Sequence, residues 1–279
     1  MSEHGRLSLP AALARHAALL ITGTLILVPF IWMVSLSVKP PEEIFSGRLA
    51  LLPEHWYAFE NYSTALSAAP LPRFILNGTL VCACILLIQL IVGAPAGYAL
   101  AKLEFPGRGL LFGLVLIGLM LPHQVLALPM FFLCYELDIQ DSYAALVLPF
   151  MVSPFGIFLF RQFFKSIPDD LVHAARLDGL SEGAIVWRIM MPMAVPAVVA
   201  FSIYSVVAHW NDLFWPSIVI KTQAFMPPSL GVTVFRSAEA GSDYGPLMAC
   251  AVLVVLPLVV AFGFVQRWFI AGLTSSSLK

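Results

Sequence analysis

Six stretches of this chain, at residues 17–38, 74–101, 109–135, 142–160, 189–211 and 244–266, contain no Asp, Glu, Lys or Arg. Crossing ~30 Å of hydrocarbon at about 1.5 Å per residue takes about 20 apolar residues, and each stretch reaches or approaches that length. In lipid every backbone N–H needs an internal partner, so such a segment must be a helix. Hydrophobic residues make up 60% of the 279 and charged residues 11%, against about 45–50% and about 25% in a soluble domain. Water alone cannot be the solvent for this surface. The expected fold is an all-α membrane protein with six transmembrane helices.

Proline recurs inside these stretches, at Pro29, Pro95, Pro122, Pro129, Pro149, Pro154, Pro192, Pro196 and Pro257. Each removes a backbone hydrogen bond and can kink its helix, although proline is in any case commoner in membrane helices than in soluble ones. Residues 222–235 are also uncharged, but they are short and contain Pro227-Pro228, which predicts a loop or re-entrant piece. The first stretch is too long for a cleaved signal core and leads into Ser-Val-Lys-Pro-Pro, so it reads as an uncleaved helix. With six spans both termini share a side. That side carries Arg6, Arg15, Lys102, Arg108, Arg161, Lys165, Arg176, Arg188, Arg267 and Lys279; the other carries only Lys39, Arg48, Arg73, Lys221 and Arg236, over longer loops. The positive-inside rule puts both termini in the cytoplasm. The expected organisation is a cytoplasmic segment at 1–16, a transmembrane domain at 17–270 containing a cytoplasmic loop at 161–188, and a cytoplasmic tail at 271–279.

Several chemistries lack their residues. A net charge of −1 gives no basic field for nucleic acid. Cys82, Cys84, Cys134 and Cys250 lie in or at the ends of apolar runs and read as small packing residues, so no metal site is expected, and no cofactor. No Lys follows a Gly and no His precedes a Glu, which removes the nucleotide-binding and zinc-protease signatures. Gly179-Leu-Ser181-Glu-Gly183 matches the hydrolase elbow, but it follows a helix rather than a strand. Within the spans, Asn77, Gln89, His123, Gln124, His209 and Asn211 either line a path for a solute or bond across helices. Trp56, Tyr57, Trp210 and Trp215 read as membrane-interface anchors.

The loop at 161–188 carries a short helix. Ser166 is placed as N-cap with Asp169 three residues on, as in a capping box. Pro168 falls in the first turn, Asp169 and Asp170 at the positive end of the dipole, and Gly179 where a left-handed stop is wanted. Leu171, Ala174, Ala175 and Asp178 share one face. About three turns, ~18 Å, are too short and too polar to cross a membrane. Asp178 stands at the disfavoured end of the dipole, and is expected to accept hydrogen bonds from the N–H groups at 180–182, bracing the turn into the fifth span.

The run His173-Ala-Ala-Arg-Leu-Asp178-Gly179, with Pro192 downstream, resembles the EAA loop of bacterial ABC importer permeases, the inner-membrane components of binding-protein-dependent transport. That family's pattern is Glu-Ala-Ala-x-x-Asp-Gly-Ala followed by a proline. Ala174, Ala175, Asp178, Gly179 and Pro192 match; His173 replaces the usual Glu and Leu180 the usual Ala. Ser37-Val-Lys-Pro-Pro-Glu-Glu, Trp210-Asn-Asp-Leu-Phe-Trp-Pro216 and Gln266-Arg-Trp-Phe-Ile-Ala-Gly-Leu-Thr resemble segments of the carbohydrate-uptake, maltose-G-like branch.

The resemblance implies a type I importer (MetI-like) fold with a cytoplasmic coupling helix, in the inner membrane of a bacterial cell. It implies a permease subunit forming half of the pathway for a sugar or sugar-like solute, of the oligosaccharide, polyol or glycerol-3-phosphate class. Asp169, Asp170, His173, Ala174, Ala175, Asp178, Gly179, Leu180 and Pro192 would couple the chain to an ATPase. The implied partners are a pair of cytoplasmic ATP-binding subunits, a second homologous permease and a periplasmic or lipid-anchored substrate-binding protein, besides membrane lipid. The chain itself would not be an enzyme, ATP hydrolysis residing in a separate subunit. The main rival is an ion-gradient-driven secondary transporter, which normally carries ionisable residues within its spans; an intramembrane enzyme would need an acid, base or metal at membrane depth.

Overall fold

Among the described residues four helices are long and apolar enough to cross a membrane, and two further helix pairs qualify if each is one bent span, which makes up to six. The computed structural model describes residues 9–47, 49–235 and 243–276, with side chains to 266, and no strand occurs among them. Arg6, Arg48, Arg236, Lys279 and the side chain of Arg267, used above for orientation, lie outside the described residues. The chain divides into two units, one of residues up to 69 with 234–255, the other of 70–233 with 256 onward.

In the first unit, α1 (Leu9–Leu36) runs into a knot of buried polar groups. Asn61, in α2 (Ala58–Ala68), donates to the carbonyls of Ser37 (3.0 Å) and Lys39 (2.9 Å). Gly245, at the start of α11 (Tyr244–Ser276), lies so close that a Cβ would stand 2.5 Å from Asn61 Oδ1. Lys39 is 2% exposed, donates to Ala50 O and lies over the Trp32 ring.

The second unit is built on α3 (Leu71–Lys102), which packs most extensively against α7 (Pro154–Lys165). Gly97 permits the contact: a Cβ there would lie 2.7 Å from Phe160 Cβ. Phe160, Phe164 and Phe201 are fully buried around this seam. α4 (Arg108–Met120) is followed by a 3-10 turn and α5 (Ala127–Glu136), and the path bends by 98° at the junction. Leu121 is extended and Pro122 follows it, as the steric restriction before proline requires. The same occurs between α6 (Tyr143–Val147) with its 3-10 extension and α7, where Ser153 is extended before Pro154 and the bend is 41°. Pro29, Pro95 and Pro257 stay inside continuous helices.

The fifth span differs from expectation at both ends. Residues 186–190 form a π turn, Ala194 leaves the helical region, and α9 (Val195–Trp210) starts with Pro196 in its first turn. Past Asn211 the chain turns into α10 (Phe214–Val219), so the candidate span is Val195–Val219 and contains Asp212. The Asp212 carboxylate tolerates this place because Oδ1 accepts the N–H groups of Phe214 (3.0 Å) and Trp215 (3.3 Å). Trp210 and Trp215 are core residues rather than interface anchors: they are 5% and 2% exposed, and Trp215 Nε1 donates to Ala145 O at 2.9 Å. Residues 222–235 form a loop with short helical turns, and within it Gly231 meets Phe74 and Pro228 meets Gly78 of α3.

Candidate functional site

The loop helix is α8 (Asp169–Leu177), shorter by about a turn than expected. Pro168, not Ser166, occupies the N-cap; Ser166 ends α7 and its hydroxyl donates back to Phe163 O at 2.7 Å. The C-terminal stop is as anticipated. Gly179 has φ +81, its N–H donates to Arg176 O, and the Leu180 N–H donates to Ala175 O, the two bonds of a Schellman ending. That bond takes the Leu180 N–H, one of the three groups expected to bond Asp178. The brace is Glu182, which accepts from Arg176 Nε (2.8 Å) and Nη2 (3.3 Å) and from the Tyr98 hydroxyl (2.5 Å). The Arg176 guanidinium, and then the Tyr98 hydroxyl, hold the Glu182 carboxyl below its ordinary 4.5.

The two faces of α8 have different uses. Val172 and Ala175 are buried against the second unit's core. Asp170, Leu171, His173, Ala174, Leu177 and Asp178 are exposed, and Leu177 is 90% exposed, which is high for a leucine on a formed helix. Ala175 therefore parts from Leu171, Ala174 and Asp178. Beneath the helix Lys102, its side chain 4% exposed, donates to Ile167 O (2.6 Å) and to Asp169. The Lys102 hydrogen bond holds Asp169 below its ordinary 3.8, so the pair stays charged at neutral pH and is lost only as pH falls through that lowered value. Arg108 (2.9 Å) and Arg161 (3.1 Å) both donate through Nε to Leu100 O, closing the last turn of α3. Pro192 stands in the helical turn Met191–Met193 after the π turn.

The polar residues of the spans separate into two groups. Asn77 is a cross-brace: its amide donates to Ala224 O (3.0 Å) and Met226 O (2.9 Å) and accepts from the Tyr143 hydroxyl (2.7 Å). Asn211 bonds back to Val207 O at 2.8 Å, and Gln124 is exposed at the 98° break. His123 and His209, by contrast, line a cleft of about 570 Å³ together with Gln89, Tyr204, Ser205 and Asp212. The Tyr98–Glu182–Arg176 brace, the Lys102 latch and the Gly97 seam were absent from the reading of the sequence. The seam had a visible signal in Gly93-Ala-Pro-Ala-Gly97, the small-xxx-small spacing of close membrane helices.

Comparison with known proteins follows the same lines. The sequence pattern described as "Binding-protein-dependent transport system inner membrane component" matches residues 93–275. The arabinooligosaccharides transport system permease protein AraQ of Bacillus subtilis is 33% identical over 262 residues, 93% of each chain. The diacetylchitobiose uptake system permease protein NgcG of Streptomyces coelicolor is 32% identical over 95% of this chain and 88% of its own. The sn-glycerol-3-phosphate transport system permease protein UgpE of Yersinia pestis is 30% identical over 94% and 95%. Among solved structures, a chain of a bacterial ABC transporter involved in the import of the acidic polysaccharide alginate superimposes with a TM-score of 0.82 at 22% identity, covering 96% of this chain and 100% of that one. A chain of the MetNI methionine ABC transporter gives 0.56 at 17% identity, covering 72% and 95%.

Proposed function

The chain belongs to the family of binding-protein-dependent transport system inner membrane components, and from that premise we propose that it is the permease subunit of a bacterial ATP-driven importer for a sugar or sugar-like solute. The solute class follows the relatives, whose names specify arabinooligosaccharides, diacetylchitobiose and glycerol 3-phosphate. The chain forms half of the membrane pathway beside a second, homologous permease. A pair of cytoplasmic ATP-binding subunits hydrolyses ATP, and a periplasmic or lipid-anchored binding protein delivers the solute. Both termini and the 161–188 loop face the cytoplasm, as the Lys and Arg distribution favours, with the transmembrane domain at 17–270 between two short cytoplasmic segments.

One observation supports the coupling role above others: α8 is fastened to α3 from inside by Lys102 and through Glu182, while its outer face offers Leu171, Ala174 and Leu177 uncovered. An apolar stripe left bare on a firmly held helix is a docking face. Asp170, His173 and Asp178 flank it; Gly179 and Leu180 fix where it ends. Cysteines replacing Leu171, Ala174 or Leu177 should cross-link to an ATP-hydrolysing subunit in native membranes, whereas cysteines replacing Val172 or Ala175 should not. No adduct from the outer face, or equal adducts from both faces, would overturn this assignment.

A further inference from the structure

Both broken spans of the second unit open on one place. Pro122 and His123 from the 98° break, Ser153 and Pro154 from the other, and Asp212 between α9 and α10 all border the 570 Å³ cleft. That volume lies within the ~300–1,000 Å³ typical of small-molecule sites. Irregular backbone at membrane depth is tolerated where it lines a cavity, and discontinuous helices are where transporters hold their solutes.

The walls of the cleft have a definite chemistry. Phe155 and Tyr204 present adjacent rings, centroids 4.5 Å apart. The same cleft holds a polar relay: Ser205 donates to Gln89 Oε1 (2.7 Å), and Gln89 Nε2 donates to Phe150 O (2.8 Å) and stands 3.4 Å from His209 Nε2. Hydroxyl, amide and imidazole groups beside aromatic faces suit a molecule with many hydroxyls and an apolar ring face. The charge is equally definite. Among the described residues no Lys or Arg lines the cleft, and its one carboxylate is Asp212, inside a candidate span. Ionisable groups at that depth are costly and mark solute pathways. The N-terminus of α7 reaches the cleft too, but Ser153 Oγ occupies its Gly156 N–H at 3.1 Å, and a helix end carries only about half a charge.

We propose that this cleft is the chain's own contact with the solute in transit, that the solute is an uncharged polyhydroxylated molecule, and that Asp212 turns away phosphorylated or carboxylated ones. The proposal rests on the importer reading and narrows it to neutral sugars. The test uses the complete transporter, with both permeases, ATPase and binding protein, in nanodiscs. It carries Ala208→Cys, in the cleft wall but outside its polar and aromatic groups, with the exposed Cys84 changed to alanine, and thiol labelling of residue 208 is timed. At least one of arabinotriose, diacetylchitobiose and trehalose should slow labelling about tenfold, while glycerol 3-phosphate and galacturonate should not; Asp212→Asn should let an anion protect, since like-charge contact costs several kcal/mol of discrimination. Equal protection by anions with Asp212 intact, anions still excluded after Asp212→Asn, or no protection by any neutral sugar while ATP hydrolysis is normal would each overturn the proposal. A purified complex without ATP hydrolysis would instead overturn the importer reading beneath it.

Discussion

Asn77 is 1% exposed, and every bond its amide makes ties α3 to something distant in sequence: Tyr143 is 66 residues away and Ala224 is 147. Replacing it by leucine leaves the Met226 carbonyl and the Tyr143 hydroxyl without these partners, at about 1–3 kcal/mol for each buried group, while Ala224 O keeps its bond from Arg73 Nε at 3.1 Å. Asn77→Leu should therefore lower the melting temperature of the detergent-solubilised transporter, whereas Asn211→Leu, at an exposed position, should leave it nearly unchanged. In the sequence Asn77 and His123 look alike, as lone polar groups in apolar stretches. Only the arrival of residues 143 and 224–226 separates a brace from a cleft wall, and no local pattern carries that. Glu182 was illegible for the same reason, because its importance lies in Tyr98, 84 residues earlier. Gly179 was legible because a left-handed stop is a property of four or five adjacent residues. Ser166 is not the cap because its hydroxyl bonds back into α7 at Phe163 O, and Pro168, whose fixed φ suits a helix entry, takes the role.

At the scale of elements, the span lengths could be read from hydropathy and the breaks could not. Pro95 and Pro122 are the same residue in similar company, yet α3 continues unbroken through the first while the chain turns 98° at the second. α3 is held at that level by α7, through Gly93 and Gly97; Pro122 is exposed. Asp212 follows the charge-free stretch that ends at Asn211, yet it caps the next helix and so need not mark the end of the apolar segment. The seam between α3 and α7 makes a sharp forecast. A Cβ at Gly97 would come 2.7 Å from Phe160 Cβ and 3.0 Å from Arg161 N, but one at Gly93 would rest 3.6 Å from the Phe160 ring, an ordinary contact. Gly97→Ala should destabilise by the ~1–3 kcal/mol of an overpacked core, and Gly93→Ala should be nearly neutral. Thermal melts of the two variants, side by side in one detergent, check this; equal melting temperatures would mean the helices can slide apart.

At the scale of the whole molecule, orientation is carried by charge rather than by packing. The short connection at 137–142 has no Lys or Arg, whereas the loops at 102–108 and 161–188 carry two and four of them. In cells carrying Cys84→Ala, a cysteine replacing Gln140 should react with an impermeant thiol reagent from outside, and one replacing Glu104 or Leu177 only after the membrane is opened. The reverse pattern would invert the chain and detach α8 from any cytoplasmic motor. The seam at Gly97 then has a mechanical meaning. Tyr98 and Lys102, the residues that grip the α8 region, stand one position and just over a turn beyond it on the same helix. A gear train with no clearance has no backlash: with no atom's width of play between α3 and α7, even a small push on the loop should be felt along both helices rather than dying out in the first joint.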